Sequence, residues 1–78
     1  MVIRPGSIWE DNDSRRRNGE LPPRRLVVRE LGVQHRRSGP FAICDIRVFE
    51  RGRWRDAGRW VRVRERRLAP PNYLPVGQ

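Results

Sequence analysis

Phe41-Ala42-Ile43-Cys44-Asp45-Ile46-Arg47-Val48-Phe49 is the stretch that decides the fold. Ala42, Cys44, Ile46 and Val48 fall on one side of an extended chain, and Phe41, Ile43, Asp45, Arg47 and Phe49 on the other. A period of two in a run with β-branched residues marks a strand with one face on a core rather than a helix. Arg59 to Glu65 alternates in the same way, with Val61 and Val63 inward and Trp60, Arg62 and Arg64 outward. Arg51-Gly52 and Ala57-Gly58, between the two runs, mark a hairpin connection.

Upstream, Leu26 to Leu31 reads as a further strand, and Ser7-Ile8-Trp9-Glu10 as a short first one after the turn signal Arg4-Pro5-Gly6. Glu10 to Pro23 is polar, carries Asn18-Gly19 and Pro22-Pro23 and has no apolar period, which predicts a long first loop. Gly32 to Pro40 is a second turn region. Downstream, Arg66-Arg67-Leu68 makes one tight helical turn stopped by Ala69-Pro70-Pro71. Asn72 to Val76 leaves room for a last strand, confined to an edge by Pro75. Trp9, Cys44 and Val63 are expected in the core, with Tyr73 and Leu74 closing the barrel. Service of Pro70 to Pro75 as a polyproline ligand is the weaker reading of that segment.

The expected fold is therefore all-β: five short strands, a long first loop and one helical turn before the last strand, in a single domain spanning residues 1–78. This arrangement resembles the SH3-like small barrel that KOW and Tudor chains share. The opening Arg4-Pro5-Gly6-Ser7-Ile8-Trp9-Glu10-Asp11-Asn12-Asp13 and the late Gly58-Arg59-Trp60-Val61-Arg62-Val63, with Arg67-Leu68 and Tyr73-Leu74, are also similar to short proteins of high-GC bacteria and their phages. The resemblance implies a barrel that binds nucleic acid or peptide, and it implies no catalytic residue.

Composition narrows the function. Seventy-eight residues bury only about 60% of the unfolded surface, so the core must be small. Cys44 is the one cysteine and His35 the one histidine, which excludes an intrachain disulfide and leaves a zinc site short of ligands. All 18 basic residues are arginine, against nine acidic ones, for a formal charge of +9. GC-rich coding accounts for arginine in place of lysine but not for the excess of cations, which points to a polyanionic partner. No apolar run approaches the ~20 residues of a membrane-spanning helix. The first residues lack the apolar stretch of a signal peptide, so the expected location is cytoplasmic.

Catalysis finds no seat. Cys44 lies on the apolar face, and its only possible base, His35, sits in a basic turn as a solvated residue. Glu10, Asp11 and Asp13 lack the further oxygen ligands of a calcium loop, and pairing with Arg15, Arg16 and Arg17 or capping a turn explains them better. No glycine-rich phosphate loop is present, and no cofactor is expected.

Arg51 to Arg67 is the informative segment, with eight arginines against Asp56 and Glu65, a net of +6. Arg53, Arg55, Arg59, Arg62 and Arg64 are the expected phosphate contacts, Arg15, Arg16, Arg17, Arg36 and Arg37 accessory ones from loops. Trp54 and Trp60 either stack on bases or pack under arginine lids, and the sequence leaves both readings open. The leading expectation is a non-enzymatic, weakly sequence-selective nucleic-acid-binding module, DNA or RNA. The alternative is a protein-interaction module docking its basic face on an acidic protein surface.

Overall fold

The computed structural model describes residues 3–34, 37 and 39–77. Five antiparallel strands, β1 (Ile8–Asp11), β2 (Arg24–Gln34), β3 (Pro40–Glu50), β4 (Arg53–Arg64) and β5 (Tyr73–Val76), form one sheet in the order β4-β3-β2-β1-β5. A helical turn, α1 (Ser14–Arg17), stands in the first loop, and a 3₁₀ turn (Glu65–Arg67) precedes β5. This is the all-β arrangement that the alternation predicts. β4 and β5 are the two edges, and among the described residues no ladder joins them.

One face of the sheet makes the core. Trp9, Leu26, Val28, Ala42, Cys44, Ile46 and Val63 are buried there, and Leu68, just past the 3₁₀ turn, joins them from outside the sheet. Trp9, Cys44 and Val63 are the core residues expected from the sequence. Burying no charged or polar residue among those described, this cluster relies on apolar area alone. Tyr73 packs against it half-buried, whereas Leu74 is 40% exposed. Leu74 stands opposite Glu10 on the outer face, so strand alternation removes it from the closing role expected of it.

β2 runs past Leu31 to Gln34 because Gly32 is a bulge rather than a turn. The register with β3 slips between Val28 and Glu30 and again between Glu30 and Val33, and Gly32 has φ +70°. Bulges bend a strand and increase its twist. The Gly32 N–H donates to Glu65 Oε2 at 2.6 Å, pinning the bent end of β2 to the 3₁₀ turn.

β4 also begins earlier than expected. The hairpin turn is only Arg51-Gly52, with φ of +52° and +80°, the sign pattern of the two-residue turn that matches strand twist. Ala57-Gly58 does not end the strand but sits inside it. Asp45 faces Trp60 and Arg47 faces Asp56, so Ala57, Gly58 and Arg59 together oppose Ile46. Gly58 takes φ +73°, and its N–H donates to Asp56 Oδ1 at 2.7 Å. Because the bulge adds two residues, the inside-outside phase of β4 is unchanged across it.

The first loop is more ordered than its polarity suggested. Asp13 caps α1 by accepting the Arg15 N–H at 2.9 Å. Asp11 accepts from Arg16 Nε (3.1 Å) and from Arg24 Nε and Nη2 (3.1 and 2.6 Å), while its other oxygen takes the Asp13 N–H at 3.0 Å. Asn12 donates to the Pro71 carbonyl at 2.8 Å, which builds the proline segment into the fold instead of leaving it a free tail.

Candidate nucleic-acid interface

Residues paired across a sheet point to the same side. Trp54 faces Phe49, Trp60 faces Asp45, Arg62 faces Ile43 and Arg64 faces Phe41, so these four residues of β4 share the outer face. The two tryptophans there differ. Trp54 is half-buried: its ring meets Phe49 edge-on at 5.4 Å, and the Arg25 guanidinium covers it at 4.1 Å. Arg25 in turn donates to Glu10 at 3.0 Å. A chain of contacts from β1 to β4 thus holds Trp54 as part of the outer layer. Trp60, 58% exposed, has only solvent over much of its ring.

The expected arginines do not form one patch. Arg53 and Arg64 stand at opposite ends of β4, roughly 30–35 Å apart at about 3.3 Å per residue. Around the hairpin tip, Arg51, Arg53 and Arg55 surround Glu50, and Arg55 is paired with that carboxylate. Arg59 lies in the bulge and is exposed. At the other end, Arg62 lies over the Phe41 ring at 5.9 Å, with Arg64 beside it. The 3₁₀ turn then delivers Arg66 and Arg67 to the same place: one groove is lined by Phe41, Val61, Arg62, Val63, Arg64, Arg66, Arg67 and Tyr73. A neighbouring groove joins Arg37 to Arg64 and Arg66. Glu65, the nearby acid, is engaged by the Gly32 N–H.

Among the loop arginines, Arg15 and Arg16 are already held. Arg15 pairs with Asp13 at 3.1 Å and Arg16 with Asp11 at 3.1 Å, the latter pair largely shielded. The Arg15 side chain and the capped N–H hold the Asp13 carboxyl down to about 2. Arg17 is exposed and carries no ion pair among the described residues; Arg36 and His35 lie outside those residues. The acidic cluster is thus structural, and no group of metal-ligating side chains occurs among the described residues. Burial pushes the Cys44 thiol up to about 11, which suits a core residue and not a nucleophile.

Arg66 and Arg67, counted in the basic segment but not among the expected contacts, are the residues that the fold adds to the candidate interface. Their number was visible, but only the 3₁₀ turn, with three residues per turn, sets them beside the end of β4. Among the described residues no helix is long and apolar enough to cross a membrane. No family model, curated protein or solved structure matches the chain.

Proposed function

We propose that this protein is a non-enzymatic nucleic-acid-binding module that works through the second half of β4. The observation that carries the reading is Trp60, 58% exposed on the same face as Arg62 and Arg64, with no carboxylate paired to either arginine among the described residues. Arginine binds phosphate through a fixed planar fork, and an exposed indole stacks on any base. Contacts of this kind position a polyanion without reading its sequence, so selectivity among sequences should be weak.

The test is the double substitution Arg62→Glu and Arg64→Glu. Both side chains are exposed on the outer face, so the fold should survive while binding is lost. Wild-type affinity in the folded double variant would remove β4 as the binding element. The contrasting pair Arg15→Glu and Arg16→Glu should lower stability more than affinity, since those guanidiniums already hold Asp13 and Asp11. A second reading, an acidic protein partner, is favoured by one feature, the unpaired edge of β4. It predicts recovery of a defined protein partner whether or not nuclease is added.

A further inference from the structure

The sheet stays open between β4 and β5, and past the bulge at Ala57-Gly58-Arg59 the edge of β4 runs along a groove at that seam. Val61, Arg62, Val63 and Arg64 all line it. Successive residues of a strand point to opposite faces, so a groove that meets them consecutively lies along the edge of the strand. There the backbone N–H and C=O groups that β4 does not spend on β3 face outward. On the core side of this edge stand the half-buried Val61 and the buried Val63, with the half-buried Tyr73 of β5 across the seam. On the outer side stand Arg62 and Arg64, both exposed, and the 3₁₀ turn adds the exposed Arg66 and Arg67. None of these arginines is ion-paired among the described residues.

We infer that this edge takes an extended acidic segment of a partner protein, which adds to β4 as a further strand along residues 60–64. Main-chain hydrogen bonds hold a strand added in this way, and its side chains alternate between the two faces. Every second side chain then lies beside Arg62 and Arg64 and is acidic; those between lie beside Val61 and Val63 and are apolar. A nucleic acid reaches the arginines but has no row of N–H and C=O groups to offer, and nothing to set beside Val61. A second copy of the chain offers such a row, but it brings its own Arg62 and Arg64 against these, with a formal charge of +9 on each chain. The arginines that bar a copy admit a strand of opposite charge. This inference stands apart from nucleic-acid binding, which needs the outer face and not the backbone edge. It gives the acidic-partner reading of the preceding subsection a place and a sequence pattern.

The experiment titrates the protein with labelled peptides by fluorescence anisotropy. One peptide alternates glutamate and valine, and a second has the same composition with the glutamates and valines in separate blocks. Two further forms of the alternating peptide are N-methylated, one at every glutamate and the other at every valine. Nuclear magnetic resonance follows amide exchange in the protein during the same titrations. The alternating peptide should bind at least about 10-fold tighter than the block peptide and slow exchange along residues 60–64. One N-methylated form should bind about 10-fold more weakly and the other like the parent. A strand bonds to its neighbour along one side only, and two or more lost backbone hydrogen bonds amount to that factor. No binding of the alternating peptide, or equal binding of the alternating and block peptides, overturns the added strand. So does equal binding of the two N-methylated forms, or slowed exchange in β5 in place of β4. Slowed exchange at residues 60–64 without peptide, growing with protein concentration, makes the occupant a second copy, and the inference is wrong. No oligonucleotide enters these titrations, so failure here leaves nucleic-acid binding standing, and failure of nucleic-acid binding leaves this result as it is.

Discussion

Asp11 is the residue whose loss should be felt most widely. Its Oδ2 takes three hydrogen bonds from Arg16 and Arg24, at 2.6 to 3.1 Å, and its side chain is only 10% exposed. Replacing it with asparagine keeps an acceptor for the Asp13 N–H but removes the negative charge between two guanidiniums. Breaking a fully buried ion pair costs about 3–5 kcal/mol. Arg16 and Arg24 are 18% and 25% exposed and regain water in part, so about 2–3 kcal/mol is the expected loss. A chain of this length has on the order of 4–12 kcal/mol to lose. Urea unfolding followed by tryptophan fluorescence reads the change as a lower midpoint at constant slope. Heating should show Tm falling by roughly 10–20 °C. A midpoint within about 0.5 kcal/mol of wild type would refute the idea that this carboxylate clamps the first loop to β2.

Other substitutions should separate packing from function. Trp54→Ala should destabilise by about 2–4 kcal/mol, because Phe49 and Arg25 lose their partner. Trp60→Ala should leave the melt within about 0.5 kcal/mol of wild type and instead weaken single-strand binding by about 1–3 kcal/mol. Thiol reagents should label Cys44 slowly until denaturant is added, and Cys44→Ala should cost on the order of 1 kcal/mol. The raised Cys44 value also fixes a pH trend. The folded thiol holds its proton above pH 9 while the unfolded one releases it, so stability should fall from about pH 9 to about pH 11 and be intact below. An alkaline branch identical in wild type and Cys44→Ala would count against that assignment.

What the sequence disclosed and what it hid follow from the range of the forces involved. β3 was legible because Ala42, Cys44 and Ile46 alternate without interruption, and Trp9 because a small core needs a large ring. The first half of β4 was hidden by Ala57-Gly58, which reads as a turn until Gly58 at φ +73° is seen to sit in a bulge. Gly32 misled in the same way. The Asp11–Arg24 clamp joins residues 13 apart, and the Gly32–Glu65 bond joins residues 33 apart, so no local pattern could show either. The candidate interface was half legible. Strand period put Trp60, Arg62 and Arg64 on one face, yet it could not tell Trp54 under Arg25 from Trp60 in solvent. Nor could it bring Arg66 and Arg67 to the seam.

Nucleic-acid binding itself is the central claim, and its dependence on salt is the most direct measurement. Anisotropy titrations of a labelled single-stranded oligonucleotide, repeated over a series of salt concentrations, should give log K falling linearly with log salt. With roughly four to six phosphates neutralised, the expected slope is about −3 to −4. Failure to bind at about 50 mM salt, where such contacts are strong, or an affinity that does not change with salt, would contradict the claim.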